Sequence, residues 1–191
     1  MATPKAQRTR ELILDAAREL VRREGIAYLS LDKVAAASGL SKGAVTYHFK
    51  TRRDLDEALI ADYAAFLDSS LKRFIARQIE LGAPDEASAL IPAYAEWFRD
   101  FVANGHDRAI LGVELLSQQA HDPEIVQPVR NWYASLVGRV NALPMRDRAK
   151  MLVAIMAFEG LFFTRKFGLD TIGEDQRREI LDYLVNQFNA N

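Results

Sequence analysis

Residues 30–55 read SLDKVAAASGLSKGAVTYHFKTRRDL, and this stretch decides the fold. Apolar residues recur at three- and four-residue spacing on both sides of Gly39, which is typical of two short helices. Ser30 and Ser41 each precede one of these patterns, where a serine hydroxyl can accept a hydrogen bond from a free amide of the first turn. Gly39 can end the first helix, because a residue without a β-carbon adopts the left-handed conformation at little cost. The stretch therefore predicts a helix, a tight turn and a second helix.

The second helix has the features of a DNA reader. Val45 and Phe49 lie four residues apart and predict its buried face. The opposite face then carries small residues and Lys42, so the helix is slim enough to enter a major groove. A basic cluster follows at residues 50–53, and cations of this kind neutralise phosphates.

The segment from Gly25 to Leu55 resembles the DNA-binding domain of the TetR (tetracycline-repressor) family of bacterial transcription regulators. The family signature ends in a tyrosine-histidine-phenylalanine run and a short basic segment, present here at residues 47–49 and 50–52. Thr46 stands where the family usually carries a second tyrosine. The resemblance implies contacts to base edges from Lys42, Gly43 and Thr46, and contacts to phosphates from Ser30, Ser41, Tyr47, His48, Lys50 and Arg52.

The charge of the chain is unevenly distributed. Residues 1–53 carry 11 Lys and Arg against 5 Asp and Glu, whereas the remainder carries 14 against 21. A basic front and an acidic remainder suit a DNA-binding domain at 1–53 attached to a second domain at 54–191 with another task. An architectural DNA-packaging protein, the ligand-independent alternative, would need basic character over its whole surface.

Composition limits the remaining possibilities. The 191 residues are 49% hydrophobic, enough for a sizeable core. The absence of cysteine excludes a disulfide framework and thiolate metal sites. No apolar run is long enough for a membrane span, and the polar start MATPKAQRTR does not resemble a signal peptide. We expect a cytoplasmic protein without a membrane partner.

Helical periodicity continues to the end of the chain and predicts an all-α fold. Residues 1–7 are expected to form a loose arm, and the capping-box pairs Thr51/Asp54 and Thr171/Glu174 are expected to open two of the helices. Nine helices are predicted, with approximate bounds 9–24, the two helices of 30–50, 52–81, 85–103, 106–121, 122–143, 144–167 and 171–189. The TetR resemblance implies three helices for the helix-turn-helix DNA-binding domain and six for ligand binding and dimerisation.

The resemblance also implies that the last two helices form the homodimer. The helix at 144–167 is apolar around more than one face, which pairing in a four-helix bundle would cover. The alternative is a central helix buried within its own subunit. The residues expected at the interface are Ile155, Phe163, Leu181 and Leu184.

Candidate ligand-binding residues are aromatic side chains and one acidic residue inside apolar runs. Aromatic residues at helical spacing are ordinarily core, so only some of them should touch a ligand. Glu114 lies within ILGVELL and would need a partner if buried, whereas Glu159, within MAFEGLFF, is expected on a solvated stripe. The ligand-binding candidates are Phe66, Phe74, Tyr94, Trp97, Phe101, Glu114, Phe158 and Phe162.

An enzyme is the competing class of protein. The chain has three histidines and no cysteine, and it lacks a phosphate-binding glycine loop, a His-Glu-x-x-His pair and a Gly-x-Ser-x-Gly elbow. We therefore expect no enzyme activity, no cofactor and no metal. The TetR resemblance implies a homodimeric repressor that binds a palindromic double-stranded DNA operator and is released by a small apolar or aromatic effector.

Overall fold

The computed structural model describes residues 3–104, 111–112, 114–117, 122–166, 169 and 171–189. Over these ranges the regular elements are helices and no β-strand is present, as predicted. None of the described helices is both long and apolar enough to cross a membrane. The helices are α1 (Pro4–Glu24), α2 (Leu31–Ser38), α3 (Lys42–His48), α4 (Arg52–Glu80), α5 (Glu86–Asn104), α6 (residues 111–112 and 114–117), α7 (Gln127–Asn141), α8 (Met145–Lys166) and α9 (Glu174–Asn189). A short 3-10 helix, Ile26–Tyr28, follows α1.

Helix α1 begins five residues earlier than predicted. The Thr3 hydroxyl accepts a hydrogen bond from the Ala6 amide at 3.3 Å, and Pro4 stands at the first helical position. Proline is tolerated there because its missing N–H would have no partner in the helix. The prediction of a loose arm is therefore wrong for the described residues 4–7. Gly25 ends α1 as predicted, at a φ of 84°.

The predicted caps of the helix-turn-helix segment are confirmed. Ser30 accepts from the Lys33 amide and Ser41 from the Ala44 amide, at 3.2 and 3.1 Å. Gly39 adopts the left-handed conformation between α2 and α3, with a φ of 70°.

A reciprocal capping box opens α4, as predicted. The Thr51 amide donates to Asp54 Oδ2 at 3.0 Å, and the Asp54 amide donates to Thr51 Oγ1 at 3.1 Å. The two pairs satisfy amides that the first turn of a helix leaves without partners.

Two predicted helix starts are wrong. Asp122 Oδ1 accepts from the amides of Glu124 and Ile125, and residues 123–126 form a turn, so α7 starts at Gln127 and not at 122. Helix α9 starts after Gly173, whose amide donates to Gln176 Oε1 at 2.9 Å, and not through the predicted Thr171/Glu174 pair. The predicted helix 106–121 lies partly outside the described residues, as do His106 and His121.

The chain divides into two compact units. The first comprises Met1–Phe66 and Gly105–Asn131, and the second comprises Leu67–Asn104 and Trp132–Asn191. In the first unit, α1, α2 and α3 pack around buried residues such as Ile13, Val34 and Val45. In the second, α5, α7 and α8 supply a core that includes Tyr94, Leu136 and Phe158. The functional boundary at 53/54 stays a prediction.

Candidate DNA-binding surface and effector site

One face of α3 packs inward and the other is exposed. Val45 and Phe49 are buried, as predicted. Lys42 and Gly43, at the start of the helix, are exposed. A β-carbon added to Gly43 would meet only Ser41 Oγ, at 4.0 Å. The packing of the domain therefore leaves room for a side chain at position 43, where the exposed face of α3 begins.

Polar groups of α3 already have partners in the free protein. Lys42 Nζ lies 2.8 Å from Asp32 Oδ1 of α2, and both side chains are exposed. The Thr46 hydroxyl is turned back on its own helix, where it donates toward the carbonyls of Lys42 and Gly43 at 3.0 and 3.2 Å. Thr46 therefore presents its methyl group and oxygen lone pairs, not its hydroxyl proton, to an approaching base.

The end of α3 borders a groove that the sequence did not predict. Tyr47 is 79% exposed, and its ring meets the edge of His48 at a centroid distance of 5.2 Å. With the start of α1, these two residues enclose an open groove of about 440 Å³. On that side the groove is lined by the cap residue Thr3 and by Ala6, Gln7, Arg10 and Glu11 of α1. The sequence signal was Thr3-Pro4, a cap and a helix-starting proline, which extends α1 to this place.

The Arg52 guanidinium binds groups inside its own domain, whereas the resemblance implied a contact to phosphate. Its Nε donates to Asp56 Oδ1 at 2.7 Å, and its two terminal nitrogens donate to the backbone carbonyls of Leu29 and Ile26. These bonds tie the start of α4 to the turn before α2 and neutralise Asp56, which is buried. Arg52 therefore joins the start of α4 to the rest of the domain, and its predicted phosphate contact stays a prediction.

The other two cations of the basic cluster, Arg53 and Lys50, differ in their ion pairs. Arg53 pairs with Glu57 at 2.9 Å, and with Asp122 and Glu124 ahead of α7. Lys50 is exposed and forms no ion pair with the part of the chain that the structure describes. Of the three cations at 50–53, Lys50 is thus the one available to a phosphate.

Three of the predicted ligand-binding residues come together in the second unit. Tyr94 on α5 contacts Trp97 edge-on, with centroids 5.1 Å apart, and stacks beside Phe158 of α8 at 5.7 Å. All three are buried. Phe98 stacks on Phe158 at 4.0 Å, and Trp132 of α7 lies 5.9 Å from Trp97. We call this group, with Tyr133, the aromatic cluster.

A carboxylate adjoins the aromatic cluster. Tyr133 Oη donates a hydrogen bond of 2.7 Å to Glu159 Oε1, and Tyr133 meets Trp132 edge-on at 4.8 Å. Glu159 is half-buried, so its predicted place on a solvated stripe is wrong. Burial raises the pKa of Glu159 above its ordinary value of 4.5, and the Tyr133 hydrogen bond opposes part of that rise. Burial and the charge of Glu159 raise the pKa of Tyr94 as well, so its phenol stays neutral.

Sequence reasoning did not select Trp132 and Tyr133. The available signal was two adjacent large aromatics within a predicted helix, where at least one must face a core.

The remaining ligand candidates lie elsewhere. Glu114 belongs to the first unit, where its Oε1 accepts from the Ile26 amide at 3.4 Å, so it caps the turn after α1 and is not part of the aromatic cluster. Phe66 is half-buried in the first unit. In the second unit, Phe74 is buried beneath the Arg73 guanidinium, and Phe162 is half-buried against Phe163. The side chain of Phe101 lies outside the described part of the structure.

The predicted interface residues separate into buried and exposed sets. Ile155 is 3% exposed and Leu184 is also buried, so both pack in the core of their own subunit, and their interface role stays a prediction. Leu181 is half-buried, whereas Phe163 is exposed. Helix α8 buries Met151, Ala154, Ile155 and Phe158 on one side and exposes Leu152, Val153, Met156, Gly160 and Phe163 on the other. We call the second set the exposed α8 face.

No metal centre is found in the described residues, where no three His, Asp or Glu side chains are grouped to hold an ion. A short recognition-type helix capped by serine, preceded by a glycine turn and packed on α2, defines a helix-turn-helix protein of the transcription-regulator class.

Comparison with known proteins gives the family. Residues 13–59 match the model described as bacterial regulatory proteins, tetR family, and residues 88–189 match the tetracyclin repressor-like C-terminal domain. The chain belongs to the TetR family and is a TetR-family transcriptional regulator.

Curated relatives match at the helix-turn-helix end. The regulator AcrR of Shigella flexneri is 43% identical over 51 residues, which is 27% of this chain and 24% of the relative. The regulator SrpR of Pseudomonas putida is 35% identical over 57 residues, 30% of this chain and 27% of the relative. The chain thus spans about a quarter of the length of these curated relatives.

Solved structures match over nearly the whole chain. The multidrug binding protein EbrR complexed with ethidium is 25% identical, with a TM-score of 0.63, and the match covers 96% of this chain and 99% of that one. A TetR-family member from Streptomyces coelicolor A3 is 24% identical, with a TM-score of 0.69 and coverage of 92% and 97%, and it supports the fold.

Proposed function

We propose that this regulator is a repressor that binds a palindromic DNA operator as a homodimer through α3. The observation that carries the proposal is the exposed face of α3, which starts at Lys42 and Gly43 and ends beside Tyr47, His48 and the groove against α1. A slim helix with a glycine at its tip can lie deep in a major groove. The acidic remainder of the chain disfavours an architectural protein that coats DNA everywhere.

The proposed contacts follow from the surface. Lys42, Gly43 and Thr46 approach base edges, and Ser30, Ser41, Tyr47, His48 and Lys50 fix the protein on phosphates. Arg52 is left out because its guanidinium is engaged inside the domain. Such a protein acts where the chromosome is, in the bacterial cytoplasm.

The homodimer would form through the exposed α8 face together with α9. An exposed apolar stripe on one helix is costly in water, and a second copy related by a two-fold axis covers the same stripe on both chains. Two recognition helices then meet successive major grooves, which a palindromic site matches.

The effector would be a small molecule with aromatic surface, bound in the second unit at the aromatic cluster. The similar protein EbrR has been crystallised with ethidium, malachite green and proflavin, each of which contains aromatic rings. A coupling of about 1–3 kcal/mol between effector and DNA would already lower operator affinity roughly 5- to 150-fold.

The test is selection of duplexes from a random pool by the immobilised protein, followed by titration of the selected duplex and a scrambled duplex at several salt concentrations. We expect a two-fold symmetric site, two chains per duplex, and loss of preference for it in Tyr47→Ala and Lys42→Ala while helicity is retained. Equal affinity for all duplexes would instead favour the ligand-independent architectural protein.

A further inference from the structure

The Thr46 side chain shares one side of α3 with two exposed residues and uses its hydrogen-bond donor within its own helix. Thr46 is half-buried and follows the exposed Lys42 and Gly43 by four and three residues, which places the three side by side. Its hydroxyl donates toward the carbonyl oxygens of Lys42 and Gly43 at 3.0 and 3.2 Å. Since a hydroxyl has a single proton, Thr46 can donate to a base only by giving up these bonds.

The major groove presents hydrogen-bond acceptors, amino donors and one kind of apolar group to a recognition helix. Guanine, adenine and thymine carry the acceptors, adenine and cytosine carry the amino groups, and the C5-methyl of thymine is the apolar group. Acceptors need a donor, and the proton of the Thr46 hydroxyl is engaged. Thr46 can therefore offer its γ-methyl to a thymine methyl, or an oxygen lone pair to an amino group.

The position of Oγ1 favours the methyl contact. Oγ1 lies close to two carbonyl oxygens of α3, so it faces the backbone of its own helix. The tetrahedral β-carbon directs the γ-methyl away from those carbonyls. The same bonds and the branching at the β-carbon hold χ1 in one rotamer, so the methyl group loses little freedom when a base covers it.

Gly43 allows the close approach that so short a side chain needs. Apolar groups contact each other only when their heavy atoms come within about 4.0–4.5 Å. Thr46 stands where the TetR family usually carries a tyrosine, which reaches much farther. Position 43 has no side chain to hold α3 away from the base edges, although the domain leaves room for one. A threonine at 46 and a glycine at 43 therefore suit the same shallow gap between helix and bases.

We infer that Thr46 recognises a thymine of the operator by contact between its γ-methyl and the C5-methyl of that base. The inference rests on the proposed function in that α3 lies in the major groove. In a two-fold symmetric operator the contact occurs once in each half-site. Uracil pairs with adenine as thymine does but lacks the C5-methyl, so replacing that thymine by deoxyuridine removes this contact and keeps the base pair.

The test starts from the duplex selected from a random pool and replaces each symmetric pair of its thymines in turn by deoxyuridine. At one pair of positions we expect the wild type to lose about fourfold in affinity for each half-site. Thr46→Ser removes the γ-methyl and keeps the hydroxyl, so it should bind the thymine and uracil duplexes equally at that position. Thr46→Val removes the hydroxyl and keeps the methyl, so it should retain the preference for thymine.

The matched control is Thr9→Ser on α1, where the threonine hydroxyl likewise donates to the carbonyl four residues earlier, that of Lys5, at 3.0 Å. It should keep the wild-type preference for thymine. Circular dichroism checks that each variant is as helical as the wild type.

Three outcomes would overturn the inference. One is a wild type that tolerates deoxyuridine at every position, and another is an undiminished thymine preference in Thr46→Ser. The third is a preference lost in Thr46→Val and kept in Thr46→Ser, which would assign recognition to the hydroxyl. Each of these contradicts only this inference, because a preferred duplex is still bound. Failure of the wild type to select any duplex would contradict the proposed function and this inference with it.

Discussion

Lys42 of α3 and Asp32 of α2 form an ion pair, with Nζ and Oδ1 2.8 Å apart and both side chains about two-thirds exposed. Exposed pairs contribute little to stability, typically about 0–1 kcal/mol. On a surface proposed to meet DNA, however, Asp32 would repel the polyanion and would hold Lys42, which is proposed to contact base edges. We therefore expect the pair to limit DNA affinity more than it stabilises the fold.

Asp32→Asn should bind the operator more tightly than the wild type, because it removes a negative charge and releases Lys42. Its free energy of unfolding should change by no more than about 0.5 kcal/mol. Fluorescence anisotropy with labelled operator and chemical denaturation measure the two quantities. Glu19→Gln, which breaks the exposed Arg22–Glu19 pair on α1, is the control for net charge. A gain of the same size in both variants would mean that the effect is not local.

Gly43→Ala should change the stability of the protein and its operator affinity in opposite directions. The new methyl group meets only Ser41 Oγ at 4.0 Å, so α3 should gain up to about 1 kcal/mol from the better helix former. If α3 lies deep in the groove, the same methyl group weakens operator binding. Gly138→Ala, at an exposed glycine of α7 with open space around it, is the matched substitution and should leave operator affinity unchanged. Unaltered binding by Gly43→Ala would exclude close approach at this position.

Lys50→Ala should impair operator binding, whereas Arg52→Ala should impair stability. Removing Lys50 deletes one phosphate contact, so operator binding weakens and the salt-dependence slope decreases by about one, with stability unchanged. Removing Arg52 deletes its ion pair with the buried Asp56 and its hydrogen bonds to the carbonyls of Ile26 and Leu29, and should destabilise the protein by about 2–3 kcal/mol. Thermal denaturation and salt titration of operator binding distinguish the two effects. A stable Arg52→Ala protein would restore Arg52 as a candidate phosphate contact.

Met156→Glu should yield monomers. Met156 is 63% exposed on the exposed α8 face, so the substitution leaves the subunit core intact while placing a charge in the proposed interface. Light scattering after size exclusion measures the mass. Leu81→Glu, an equally exposed apolar site at the end of α4, should remain dimeric. A dimeric Met156→Glu protein would assign the interface to another surface.

Glu159→Gln should be more thermostable than the wild type at neutral pH. A carboxyl with a raised pKa favours the folded state fully below its ordinary value of 4.5, and this contribution is lost as pH rises through the raised value. The Tm difference between variant and wild type should therefore grow from acidic to neutral pH. Tyr133 donates to Glu159, and the charge of Glu159 acts on Tyr94; both tyrosines are present in the variant as well. A Tm difference that does not vary with pH would indicate that Glu159 is not held at a cost.

The sequence predicted most of the architecture because helix ends are encoded locally. Ser30, Gly39, Ser41 and the Thr51–Asp54 pair act within three or four residues of themselves, so their caps could be predicted without knowledge of tertiary packing. Local sequence signals predicted the wrong helix start where two possible starts lie close together in the sequence. Asp122 has the sequence of a cap but closes a turn, and Gly173 with Gln176 takes the place of Thr171 and Glu174.

Roles that depend on distant partners could not be predicted from spacing. Arg52 looks like any surface cation until the carbonyls of Ile26 and Leu29 are placed beside it, more than twenty residues away in sequence. Ile155 and Met156 are adjacent apolar residues, and only the packing of α8 decides that the first faces the core and the second faces outward. The half-buried environment of Glu159 likewise could not be predicted, because it depends on Tyr133 of α7.

Within the first unit, Gly112 of α6 faces the ring of Tyr63 on α4 so closely that any β-carbon would overlap the ring. A larger residue at 112 therefore requires the ring of Tyr63 to move or to be replaced. Across homologous sequences we expect the two sites to covary, with a larger residue at 112 accompanied by a smaller one at 63. Homologous sequences should therefore show substitutions at both positions together. We expect none with alanine at 112 beside tyrosine at 63.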